Sequence, residues 1–129
     1  MSSTPYIAKT VLNPRDAIAS HVRWKIALLL AARMREPLSE RATHSVAHPE
    51  ECSVYKWLRS THTEHLRGSQ EYRTVLALHS AFHTQMLQIA NLLQAGHFEQ
   101  AERSINTPGP FYDASNSLAN AIMALDQPA

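Results

Sequence analysis

The chain is predicted to be all-α, an antiparallel four-helix bundle with short additional helices, and three observations predict it. Apolar residues recur at three- and four-residue steps along three long segments. Those segments are bounded by side-chain caps, prolines or glycines in the positions that start and stop helices. No segment alternates apolar and polar residues over a useful length, so strands have no support. At 129 residues one domain is the default, and a chain this size buries about two thirds of its unfolded surface, enough for a core without staples. Residues 13–126 are assigned to that single domain. Residues 1–12, which mix Ser, Thr and Pro with a few apolar side chains, are assigned to a flexible arm.

The first helix opens at Asn13-Pro14-Arg15-Asp16. It has a side-chain acceptor at the cap, Pro where its missing N–H costs nothing, and an acid near the positive dipole end. It is expected to run to about Glu36, ahead of Pro37. Ala17, His21, Trp24, Leu28 and Ala31 give it an inward face. Residues 26–32 are apolar nearly all round, more than one domain interior needs, and the surplus predicts a homodimer with this helix in the interface. Residues 37–49 read as a loop, in which the four-residue spacing of His44 and His48 has no geometric meaning and solvated surface is the expected role. Residues 50–59 read as a short helix with Glu50 and Glu51 in its first turn, Cys52 near its start, and Val54, Trp57 and Leu58 on its apolar side. His62 and His65 follow in a polar stretch and are expected to be exposed.

Ser69 caps the longest helix and Gly96 ends it as a left-handed C-cap. Its inward face reads Tyr72, Val75, Leu76, His79, Phe82, His83, Met86, Ala90 and Leu93, with Arg73, Thr74, Ser80, Thr84, Gln85, Gln88 and Asn91 turned away. His79 and His83 lie four apart, so both rings leave the same face. Residues 97–104 form a short helix anchored by Phe98 and Ala101. The last helix starts at Thr107-Pro108 and carries Phe111, Ser115, Leu118, Ile122 and Leu125 on one face, with Tyr112, Ala119 and Met123 beside it.

Composition excludes several classes of function. The net charge is +1 and the basic residues are scattered, so there is no stripe for nucleic acid. Gly68, Gly96 and Gly109 lie between helical patterns and build no phosphate loop. One cysteine allows no disulfide and suits a reducing cytoplasm. The longest apolar run is too short to span a bilayer and nothing resembles a targeting signal, so no membrane partner is expected and the cytoplasm is the default location. The starting methionine and a tapering, Pro-containing tail favour a complete protein.

Imidazoles aimed into an apolar seam need something to bind. Core histidines held by hydrogen bonds are the ordinary alternative, as is a cysteine that serves as a small buried hydrophobe. Against that, a thiol at the positive end of a helix has its thiolate favoured. His21, Cys52, His79 and His83 together make three imidazoles and a thiolate, a tetrahedral set suited to zinc.

These residues also carry a resemblance. The order His21-x-x-Trp24, then Cys52-x-Val54-x-x-Trp57, then His79-x-x-x-His83 resembles the chemoreceptor zinc-binding (CZB) domain family over about residues 14–126. The family's cysteine segment reads Cys-x-Phe/Leu-Gly-x-Trp, and its glycine is Tyr55 here. The resemblance implies a four-helix bundle that is often dimeric and binds zinc through three His and one Cys, with His21, Cys52, His79 and His83 as ligands. It also implies regulation of bacterial chemoreceptors or cyclic-di-GMP-making enzymes, in some members through oxidation of the zinc-bound cysteine. The expected function is therefore a non-catalytic sensor domain that passes zinc or oxidant status to a signalling partner through dimer or partner contacts. The alternative is a zinc-dependent enzyme with an open three-histidine site. That needs a free coordination position and a carboxylate base, whereas Cys52 would close the shell and the inward faces carry hardly any Asp or Glu.

Overall fold

A computed structural model describes residues 11–125, and every regular element among them is helical. The first, α1 (Pro14–Arg33), begins as its sequence dictates: the Asn13 side chain accepts from the Asp16 amide at 2.9 Å and Pro14 occupies the first turn. It ends earlier than the expected Glu36. The Arg35 amide donates to the Ala32 carbonyl and the Glu36 amide to the Ala31 carbonyl, a pairing that closes the helix on its own last carbonyls before Pro37 can matter. Arg35 takes the left-handed conformation this requires, at φ 58°. That costs a non-glycine residue about 1–2 kcal/mol, offset in part by the Arg35 guanidinium lying 5.1 Å over the Phe98 ring.

The loop expected over residues 37–49 is largely a helix, α2 (Glu40–Ala47). The Ser39 side chain accepts from the Ala42 amide at 3.1 Å, and Val46 turns inward and is buried against α4. Cap and anchor suffice for two turns once a neighbour supplies the apolar surface. His44 therefore lies in the last turn of α2 and His48 caps it, so their spacing does carry geometry. The short helix expected over residues 50–59 divides in two. Pro49–Glu51 form a single 3₁₀ turn, Cys52 is extended, and α3 (Ser53–Leu58) follows. Thr61–Leu66 make a second 3₁₀ segment, with His62 and His65 exposed.

The central element is α4 (Gln70–Gln94), capped by the Ser69 side chain and ended at Gly96, whose φ is 83°. Its buried residues are the expected seam with Ile89 added and Leu76 at the margin. After α5 (Phe98–Asn106), α6 (Pro110–Leu125) starts just beyond the expected Thr107-Pro108 and buries Phe111, Ser115, Leu118, Ile122 and Leu125. α4 packs most extensively on α6 and also on α5, α2 and α1, while α1 covers α5 and α6. Of the expected N-terminal arm only Val11 and Leu12 are described, and Val11 is buried in the core; residues 1–10 and 126–129 lie outside the described residues.

One contact secures the far end of α3. The Leu58 carbonyl accepts from the Thr63 hydroxyl at 2.7 Å and from the Tyr72 hydroxyl of α4. A helix-terminal carbonyl has no partner of its own, so these two donors fix α3 to its surroundings. Replacing both, as Thr63→Val with Tyr72→Phe, leaves that carbonyl buried and unpaired. The double variant should lose about 2–3 kcal/mol, read as a lower urea midpoint, with each single variant losing about 1 kcal/mol because one donor remains.

Candidate metal centre

Helix α4 delivers His79 and His83 one turn apart, with ring centroids separated by 4.6 Å in an edge-to-face arrangement. Both are about 3% exposed. The His83 Nδ1–H donates to the Val46 carbonyl at 3.0 Å, one of the last carbonyls of α2 and so without a partner inside its own helix. That bond fixes the tautomer and leaves the lone pair on Nε2, the arrangement in which a histidine is oriented for a metal. Burial pushes the His83 imidazole down, opposed by the Val46 bond and the nearby Glu50 carboxylate.

For His79 nothing opposes burial. The His83 and His21 rings add to it, and the imidazole is pushed down to about 3. Its Nε2 is buried with no hydrogen-bond partner, a deficit of the size that a core seldom carries unrelieved. The third group, Cys52, arrives from the extended residue between the 3₁₀ turn and α3, half-buried against the core. Burial raises its thiol, while the Val54 and Tyr55 amides and the Lys56 ammonium lean toward thiolate.

One donor atom from each of Cys52, His79 and His83 lies within 4.8 Å of the others. A tetrahedral ion with bonds of about 2.0–2.3 Å needs its donors about 3.3–3.8 Å apart, so small side-chain movements close the gap. Two imidazoles and a sulfur suit a late, borderline transition metal rather than magnesium or calcium. The structure therefore contains a buried Cys52, His79 and His83 group that can hold a metal ion.

The fourth expected ligand, His21 of α1, is not part of that converging set. It lines the same cavity of about 10 Å³, but its Nε2 is hydrogen-bonded to the Ser115 hydroxyl at 2.8 Å and its ring is stacked on Phe82 at 4.2 Å. Its Nδ1 is buried without a partner, and burial, with Lys25 adding to it, pushes the imidazole down to about 4. Ser115 lies on the inward face that the spacing of the last helix predicts. A hydroxyl amid Phe111, Leu118 and Ile122 was the available signal that a polar group faces it. The Tyr55 ring stacks over His79 at 6.4 Å between centroids. It adds an aromatic wall to the site.

Neither a protein-family model, nor a curated protein, nor a solved structure matches the chain.

The two strongly depressed histidines make stability without metal dependent on pH. Each imidazole stays neutral in the folded chain, while in the unfolded chain it titrates near 6.5. The unfolded state therefore takes up protons first, and stability falls as pH drops below about 6.5 toward 4. Chelator-treated protein should lose about 2–3 kcal/mol between about pH 7 and about pH 5.5, at 1.36 kcal/mol per unit for each group. Urea titrations at the two pH values measure it. His79→Gln should show about half the slope, and equal stability at both values would show that the rings do not stay neutral in the fold.

Proposed function

We propose that this chain is a non-catalytic zinc-binding regulatory domain, built as an antiparallel four-helix bundle, in which Cys52, His79 and His83 hold zinc and His21 supplies the fourth ligand. The observation that carries this reading is the buried donor group itself, with one imidazole oriented by Val46 and another left with an unpartnered Nε2. His21 joins by giving up the Ser115 hydroxyl, a neutral hydrogen bond whose net contribution is about 1 kcal/mol, far less than a metal–nitrogen bond supplies. Zinc bound there would tie α1, α4 and the segment before α3 together. The placement of α1, α4, α5 and α6 against one another suits the bundle.

The enzyme alternative finds less support. The buried polar side chains among the described residues are Ser20, His21, Thr63, His79, His83 and Ser115, which offer no carboxylate to act as base on a bound water. The cavity is about the size of a single water, too small for substrate. A sensor asks for neither. Its signal, zinc level or oxidation of the Cys52 thiolate, would pass to a chemotaxis or cyclic-di-GMP type of output in the cytoplasm. No helix among the described residues is long and apolar enough to cross a membrane.

Metal analysis of the purified protein should give about one zinc per chain, and stripping it should lower the melting temperature sharply, because such sites supply on the order of 10 kcal/mol of binding energy. Helix content by circular dichroism should persist, since the apolar faces pack without the ion. Cobalt in place of zinc should show a thiolate charge-transfer band that Cys52→Ser abolishes. A chelator that removes the metal and leaves melting unchanged would overturn the reading.

The same proposal includes a homodimer. Val22, Ile26, Leu30 and Met34 are 43–63% exposed and follow at four-residue steps along α1 and its cap, an apolar row that a second copy would cover. Sedimentation at micromolar concentration should give a dimer, and Leu30→Asp should give a monomer with unchanged helix content. A monomeric parent chain would remove dimerisation from the proposal.

A further inference from the structure

We propose that His44, His48 and Glu51 form a second, solvent-facing site for a late first-row divalent cation such as zinc, nickel or copper, separate from the buried group. One donor atom from each lies within 4.8 Å of the others. The backbone builds the arrangement: His44 stands in the last turn of α2, His48 is its cap, and the Glu51 amide donates to the His48 carbonyl at 3.0 Å. That turn folds the chain back and brings the Glu51 carboxylate to the His44 Nε2 at 2.9 Å.

Ion pairing alone is a poor account of the cluster. The two rings are 4.1 Å apart between centroids, and two positive imidazoliums at that separation repel each other. A neutral imidazole offers one ring nitrogen as a lone-pair donor to a cation. Two imidazoles and a carboxylate are the donor set that holds zinc with a position left for water, and the imidazoles select late transition metals over magnesium and calcium. Glu50, which accepts from the His48 Nδ1 at 3.2 Å, adds a second negative charge beside the site.

The location gives the site a consequence. Cys52 follows Glu51 directly, and Val46, whose carbonyl orients His83, lies between the two histidines. A cation on this turn would stiffen the segment that presents Cys52 to the interior and would favour the ordered position of its thiolate.

The site stands whether or not the buried group binds zinc, and the test separates the two. Metal-free full-length chain is titrated with cobalt and then zinc against a chromophoric chelator. The wild type should bind two cations, one tightly with a thiolate charge-transfer band and one at least about 100-fold more weakly without it, since exposed donors compete with water. His44→Gln, an exposed and structurally mild change, should keep the tight event with its band and lose the weak one. His62→Gln, an exposed histidine outside the cluster, should keep both. A wild type that shows no cation binding without the thiolate band up to millimolar concentration overturns the proposal. So does a weak event that survives both His44→Gln and His44→Gln with Glu51→Gln. Absence of the thiolate band from every event would instead count against the buried site and leave this one standing.

Discussion

The bond between the His83 Nδ1–H and the Val46 carbonyl is the constraint on which the site depends. An imidazole in an apolar seam must be neutral and must have its N–H satisfied. Here the partner is a carbonyl that α2 itself cannot use. The same contact gives α2 its place: an eight-residue helix is too short to persist in water, and this one is held by Val46, its side chain buried and its carbonyl on His83. Helix and imidazole therefore stabilise each other. The turn that follows α2 is positioned by that pairing, and with it Cys52.

The long elements were legible in the sequence because their apolar spacing repeats over several turns and their caps sit where capping chemistry puts them. The face assigned to α4 proved buried residue for residue from Tyr72 to Leu93, apart from the marginal Leu76 and the added Ile89. Short elements were not legible, and the reason is physical. In α2 only Ala42 and Val46 join the apolar core, two positions that no periodicity can distinguish from chance, so its existence is decided by the surface of α4. The division of residues 49–58 into a 3₁₀ turn and α3 is equally local: Pro49 starts the first piece, and Cys52, extended as the N-cap of α3, separates the two.

The candidate site was legible in its residue types and only in part in its assembly. The spacing of His79 and His83 is a property of one helix and carries over directly into space. Cys52 joins them because a turn folds back, and its convergence could be expected from donor chemistry but not from spacing. His21 shows the limit of such reasoning. Periodicity correctly predicted that it faces inward, yet the face it shares with α6 offers a hydroxyl, and without an ion in place that hydroxyl takes the ring nitrogen.

The competition at His21 suggests how a shared core can hold two states. In one, Ser115 holds the His21 Nε2, and the buried His21 Nδ1 and His79 Nε2 lack partners. An orphaned atom of this kind costs about 1–3 kcal/mol, and at the His79 Nε2 ligation would relieve it. The four candidate ligands differ in how firmly they are held. His79 and His83 ride on the 25-residue α4, and His21 on α1, whereas Cys52 is presented by a single extended residue between a three-residue turn and a six-residue helix. Local opening draws on the segments with the fewest buried contacts, and among these four that is the segment of Cys52. Its far end is tied down at the Leu58 carbonyl, so loss of the thiolate would free the near end first. Motion would then begin at residues 49–53 and reach α2 through the turn they share, while α4 stays in place.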